Sequence, residues 1–232
     1  MYYEMKEKSV RLVGVELDEE FSFKHHVRNV KAKLNRINYV LARSKNILPS
    51  DIRMLIYNSL VRSVLDFASI LYGAARKGTI TILEKIQKKI VRNIKGVSSR
   101  AHTNDIFLEL GILKLSDLIE FNQAVFGHGV WYERLPTNIR TDFEQLSTVG
   151  SETRAIGKKT FKVPFCRKSF LESAPCLTVS NTWNNLDLNL KKNEKINSFK
   201  KSLLQVFFDK YRNEPKCSLA GCFSCDRRLV RP

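Results

Sequence analysis

Apolar residues recur every three or four positions through the first half of the chain, and this spacing constrains the fold more than any other feature. In the first such stretch they are Phe23, Val27, Val30, Leu34, Ile37 and Leu41. Spacings of four and three keep all of them on one face of an α-helix. A second stretch runs from Ile82 to Ile94 and ends at Gly96, a residue typical of a helix C-terminus. The pattern predicts amphipathic helices that bury one face against each other.

The remaining patterns complete a mainly α prediction. Residues 10–18 alternate between apolar and polar side chains before an acidic turn, which indicates a β-strand. Pro49 and Ser50 begin a helix that continues to Gly73, and helical spacing returns at 103–110, at 116–134 with interruptions at two glycines, and at 196–207. We therefore expect short N-terminal β-strands, then a helical bundle, then a small basic C-terminal unit.

The charge is strongly positive and unevenly distributed. The chain has 40 Lys and Arg against 23 Asp and Glu, for a formal net charge of +17. Residues 1–100 hold 20 basic and 9 acidic side chains, residues 101–157 hold 4 and 8, and residues 158–232 hold 16 and 6. Two basic regions flank a mildly acidic one, which favours a polyanionic partner. The alternative is that these lysines are ordinary solvated surface residues.

Known catalytic patterns are absent from the sequence. The densest acidic group, Asp18 to Glu20, is consecutive, so its three carboxylates cannot all face one metal site. No glycine-rich phosphate loop occurs. His26 is expected at a helix surface or interface, and His128 in a structural position. We expect neither a catalytic residue nor a small-molecule substrate.

Membrane insertion is not expected either. The most apolar segment, 60–75, contains Arg62 and Asp66 and is shorter than the roughly 20 residues that span a bilayer. The N-terminus lacks the apolar stretch of a secretory signal, and the five cysteines make a poor disulfide framework. An intracellular protein of the nucleus or cytoplasm is the expectation.

Three cysteines near the C-terminus have part of the spacing of a zinc site. They are Cys217, Cys222 and Cys225, and no His or Cys follows them. A structural zinc ion needs four ligands, so a fourth would have to come from elsewhere in the chain. Zinc is the one cofactor that the sequence suggests, and free thiols are the alternative.

Three blocks in a fixed order resemble the C-terminal part of reverse transcriptases from non-LTR retrotransposons of the jockey-like type. They read LVGVELDEEFSFKHHV, LEKIQKKIVRNIKGVSSRAHTNDIFLELGILKLSDL and SNTWNNLDLNLKKNEKINSFKKSLL. In the first block, Leu12 and Val13 stand where the family usually has Phe and Leu. The resemblance implies a remnant of the polymerase palm in 1–20, a helical thumb in 21–136, a linker in 137–157 and a basic C-terminal region in 158–232.

The resemblance also implies a nucleic-acid surface without catalysis. The resemblance implies that seven cationic residues lie along the backbone of an RNA–DNA template–primer duplex. They are Lys24, Arg28, Lys31, Lys85, Lys88, Lys89 and Arg92. The family's pair of consecutive catalytic aspartates occurs nowhere in the sequence, so we expect a non-catalytic fragment. The alternative is a helical module that binds another protein through exposed apolar surface.

Overall fold

Two short strands and a series of helices make up the computed structural model, which describes residues 9–146, 159–165 and 174–213. The strands are β1 (Ser9–Leu12) and β2 (Val15–Asp18). The first helices are α1 (Lys24–Ser44), α2 (Ser50–Ile56), α3 (Ser63–Asp66), α4 (Ser69–Tyr72), α5 (Lys77–Lys95) and α6 (Asn104–Glu109). The later helices are α7 (Leu115–Trp131), α8 (Thr137–Arg140), α9 (Pro175–Asn185), α10 (Leu188–Lys191) and α11 (Ile196–Asn213). The expected mainly α fold class is confirmed.

The alternating residues 10–18, expected to form short β structure, belong to an antiparallel hairpin. Its register pairs Ser9 with Asp18 and Leu12 with Val15. Val13 and Gly14 form the turn with φ values of 47° and 85°. Two residues in the left-handed region are what a tight two-residue hairpin turn requires. The alternating pattern is the same for one long strand and for two short ones, so it could not reveal the turn.

The predicted helix from residue 50 to residue 73 is divided. A π-helical segment, Tyr57–Arg62, joins α2 to α3, and Ala68 adopts a left-handed conformation with φ of 54° between α3 and α4. The bend lets Leu65 and Tyr72 both reach the core, where each is fully buried. Tertiary packing thus overrides the continuous helical periodicity.

The core lies where α1 and α5 pack together and where α7 packs beneath α5. The fully buried side chains of the first pair are Leu34, Leu41, Leu83, Ile90 and Ile94. They belong to the two apolar stripes in the sequence, and both helices therefore direct their remaining faces towards solvent.

Helix α7 is continuous through both of its glycines, so the predicted interruption is wrong. A Cβ atom on Gly127 would lie 3.2 Å from Cβ of Trp183, and one on Gly129 would lie 3.2 Å from Cγ of Leu135. The glycines therefore allow α9 and the segment after α7 to approach the helix closely. Trp183 is fully buried there among the rings of Trp131, Phe161 and Phe199.

The two histidines singled out in the sequence are both buried. His26 is 4% exposed and its ring lies 5.4 Å from that of Tyr72, so of the two expected positions it takes the interface, and its neighbour His25 is at the surface. His128 is fully buried, with Nε2 2.8 Å from the carbonyl oxygen of Asn193. Burial lowers the pKa of both imidazoles.

Candidate nucleic-acid interface

The two basic helices, α1 and α5, run side by side in the same direction. Near their N-terminal ends, His26 of α1 packs on Tyr72, which shortly precedes α5. Near their C-terminal ends, Asn93 of α5 donates a 2.8 Å side-chain hydrogen bond to Asn38 of α1. Both asparagines are half-buried. Their hydrogen bond therefore marks an edge at which the contact between the helices meets solvent.

Helical geometry places five of the predicted cations along that edge. Residues four or seven apart share a side of an α-helix, because each turn takes about 3.6 residues. Lys31 precedes Asn38 by seven positions and Lys24 precedes Lys31 by seven, with Arg28 between them. On α5, Lys89 precedes Asn93 by four positions and Lys85 precedes Lys89 by four. We call this set the basic edge: Lys24, Arg28, Lys31, Lys85 and Lys89.

The dimensions of the basic edge suit a phosphate backbone. Lys24 and Lys31 are separated by about 10 Å along the axis of α1, and Lys85 and Lys89 by about 6 Å along α5, at about 1.5 Å per residue. Consecutive nucleotides of one strand rise by about 3.4 Å along a duplex, so each row covers about two to three of them. Two neighbouring rows can therefore follow a short stretch of duplex.

In the part of the chain that the structure describes, protein groups do not neutralise the charges of the basic edge. All five side chains are exposed. Across the described ranges, none of them takes part in an ion pair or a side-chain hydrogen bond. Lys95, at the end of α5, shows the contrasting case, with its Nζ 2.7 Å from Oε2 of Glu109. The basic edge therefore keeps its charge available for an anionic partner.

Two of the predicted cations, Lys88 and Arg92, are left out of the basic edge for different reasons. Lys88 precedes Asn93 by five positions, about 140° around the helix, and so lies on another side of α5. Arg92 follows Lys85 by seven positions and shares its side, but its guanidinium is bound within the protein. Arg92 is half-buried, and its Nε donates a 2.8 Å hydrogen bond to the carbonyl oxygen of Ala101. Burial also lowers the pKa of Arg92. Its guanidinium thus holds the segment after α5, whereas Lys88 is exposed on the outer side of the helix.

The opposite side of α1 carries a further cation that the basic edge excludes. Lys33 follows His26 by seven positions and therefore lies on the same side as that buried ring. Burial is the main reason that the pKa of His26 is lowered, and the nearby charge of Lys33 adds to the effect. Lys33 is exposed and thus provides a cation on the same helix but off the basic edge.

Sequence reasoning did not identify the asparagines that define the edge, nor an aromatic residue that extends it. Tyr39 follows Arg28 by eleven positions, about three turns, and is 60% exposed. The sequence does contain a signal for the asparagines, because Asn38 and Asn93 follow Lys31 and Lys89 at helical spacings of seven and four. Only the contact between Asn38 and Asn93 shows that this register faces α5.

Neither a metal centre nor a membrane span is found among the described residues. In that part of the chain, no three His, Cys, Asp or Glu side chains come together in a way that could hold a metal ion. Within the same residues, none of the helices combines the length and apolar character needed to cross a bilayer. Cys217, Cys222 and Cys225 lie outside the described residues, so zinc binding stays a prediction.

The acidic turn before α1 has a local structural role. Asp18 accepts hydrogen bonds from the backbone N–H and the hydroxyl of Ser22, at 2.6 and 2.7 Å. These bonds fix the connection between the hairpin and α1. They position the N-terminal end of the basic edge, where Lys24 begins the helix.

Comparison with known proteins relates about half of the chain to polymerases of mobile elements. The chain is 28% identical over 113 residues to the RNA-directed DNA polymerase from mobile element jockey of Drosophila funebris. The matched residues cover 47% of this chain and 12% of that protein. The corresponding Drosophila melanogaster protein is 26% identical over 117 residues, 49% of this chain and 13% of its own length. No family model and no solved structure matches. The chain thus spans about an eighth of each relative, and it contains a region related to the reverse transcriptases of non-LTR retrotransposons.

Proposed function

We propose that the chain binds the sugar–phosphate backbone of an RNA–DNA template–primer duplex along the basic edge, without catalysing polymerisation. The observation that carries this proposal is the row of five exposed, unneutralised cations on one side of two packed helices. The relationship to RNA-directed DNA polymerases supports a nucleic acid as the partner. Lys and Arg on rigid helices contact phosphates, which position a duplex but carry no sequence information.

The electrostatics of such a surface give a measurable signature. If all five cations neutralise phosphates, the logarithm of the association constant falls with the logarithm of salt concentration with a slope of about −4.5. Lys and Arg side chains that contact only the backbone discriminate little between base sequences. Binding should therefore depend steeply on salt and weakly on sequence.

The absence of catalysis in this proposal rests on the chemistry of phosphoryl transfer. Two-metal catalysis needs carboxylates that converge on a pair of cations. The consecutive aspartates of the resembling family are missing from the sequence. Incorporation of nucleotides by the purified chain with Mg²⁺ or Mn²⁺ would refute this part of the proposal.

A matched pair of variants tests the binding surface. The first replaces four cations of the basic edge, Lys24, Lys31, Lys85 and Lys89, by Gln. The second removes the same number of charges at exposed positions off the edge, Lys33, Lys192, Lys195 and Lys201. Fluorescence anisotropy measures the affinity of each for an RNA–DNA hybrid at about 50 and about 200 mM salt. Circular dichroism checks that both remain helical.

The two variants should differ although their net charges are equal. We expect the edge variant to bind weakly with a salt slope near −1, because one cation of the edge is left. The control variant should keep most of the slope. Equal losses in the two would show that binding follows net charge alone and would refute the assignment of the basic edge.

A second candidate function, a helical protein-interaction module, is favoured by a different observation. Large apolar side chains are exposed on the hairpin and on the segment from α2 into the π-helix, namely Val10, Leu12, Val13, Ile52, Leu55 and Leu60. Such side chains can bury area against another chain. Light scattering that detects a concentration-dependent dimer, together with no affinity for nucleic acid at about 50 mM salt, would favour this function over the first.

A further inference from the structure

An exposed aromatic residue continues the basic edge towards the C-terminal end of α1. Tyr39 lies eight positions beyond Lys31, about 12 Å further along the helix axis. Its side chain is 60% exposed. Other tyrosines in the described part of the chain are buried or half-buried, including Tyr57 at 2% and Tyr72 at 0%. Tyr39 therefore contributes little to the core and presents its ring to solvent.

A neighbouring arginine holds that ring. Arg43 is one turn further along α1, and its Nε donates a 3.1 Å hydrogen bond to the Tyr39 hydroxyl. The Arg43 Cζ atom lies 5.4 Å from the centre of the ring, within the range of a cation–π contact. An exposed ring that is already oriented loses less conformational freedom when a ligand packs on it.

We infer that Tyr39 stacks on an unpaired base of a single-stranded segment that adjoins the bound duplex. The inference rests on the proposed function, because the basic edge would hold the duplex. Exposed aromatic rings and arginine planes are the groups that bind unstacked bases. Bases inside a duplex are covered by their neighbours on both faces, so a flat ring at the end of the row can stack only where pairing has ended.

The experiment compares two probes and three variants. One probe is a blunt RNA–DNA hybrid of about 18 base pairs, which is longer than the row, and the other carries in addition about five unpaired nucleotides, placed on either strand in turn. The variants are Tyr39→Ala, which removes the ring, Tyr39→Phe, which keeps it, and the control Val40→Ala. Val40 is 55% exposed and lies one position away on a different side of α1. Anisotropy gives the ratio of the two affinities for each protein.

The expected result is a loss confined to the extended probe. Tyr39→Ala should lower its affinity roughly five- to 150-fold, the equivalent of about 1–3 kcal/mol per stacked base, while the blunt hybrid binds as before. Tyr39→Phe and Val40→Ala should keep the preference for the extension. The inference is overturned if the unaltered protein does not prefer either extended probe, or if Tyr39→Ala keeps that preference. Failure of the unaltered protein to bind even the blunt hybrid would instead refute the proposed function.

Discussion

Gln87 is a polar residue inside the apolar face of α5, and its replacement gives the sharpest test of the packing beneath the basic edge. The side chain is 1% exposed. Its amide nitrogen donates to the Tyr57 hydroxyl at 3.0 Å and to the carbonyl oxygen of Leu113 at 2.9 Å, and its oxygen accepts from the N–H of Leu115 at 2.9 Å. One amide thus joins α5 to the π-helical segment and to the start of α7.

The cost of Gln87→Met follows from the groups that would lose their partners. Met has a similar length and helix propensity, so shape and helix formation change little. The buried carbonyl of Leu113 and N–H of Leu115 would be left unsatisfied, at about 1–3 kcal/mol each, and the buried Tyr57 hydroxyl would also lose its bond from Gln87. The two backbone groups alone should lower the free energy of unfolding by about 2–6 kcal/mol, a large part of the roughly 5–15 kcal/mol of a typical domain.

Urea denaturation followed by far-ultraviolet circular dichroism measures this loss, and Lys88→Met is the control. Lys88 is the next residue along α5 and is exposed, so the same side chain introduced there leaves no buried group unpaired. The control should lie within about 0.5 kcal/mol of the unaltered protein. A loss below about 1 kcal/mol for Gln87→Met would refute the reasoning.

Two further predictions test the core and its pH dependence. Ile90→Asp should lower the free energy of unfolding by several kcal/mol in the same assay, because Ile90 is fully buried. Ile82→Asp on the same helix should lower it much less, because Ile82 is 40% exposed. Equal losses would contradict the burial of the apolar stripe that contains Ile90. Burial lowers the pKa of His26 and of His128. Below about pH 6.5 the unfolded chain therefore binds protons that the folded chain does not. The free energy of unfolding should fall as the pH is lowered. An unfolding free energy that stays constant between about pH 7.5 and 5.5 would contradict this linkage.

Much of the helical architecture could be predicted from apolar periodicity. The stripes through Leu34 and Ile90 are local patterns, and burying them gives the same helices in any compact arrangement. The mainly α fold with N-terminal β structure could therefore be predicted from the sequence. The resemblance to the retrotransposon polymerases was predicted from three short blocks, and the comparisons confirm a related region over about half of the chain.

Local patterns failed where non-local contacts set the backbone. The break at Ala68 allows Leu65 and Tyr72 to be buried together, and continuous helical spacing cannot signal such a bend. The glycine pattern predicted an interruption at Gly127, but α7 is continuous there. The close approach of Trp183 explains why a glycine occupies this position inside the helix. In both places the deciding partner is a packing contact rather than a neighbouring residue's propensity.

The sequence by itself determined which residues are cationic and which helices carry them. It could not determine which cations share a surface, because periodicity describes each helix separately and leaves their relative rotation undefined. Packing of the buried apolar stripes fixes that rotation, and the hydrogen bond between Asn38 and Asn93 shows its result. Lys31 and Lys89 then lie at one edge, whereas Arg92 is bound to the carbonyl oxygen of Ala101 within the protein. Contacts between distant parts of the chain thus decide which of the many cations lie together on one surface.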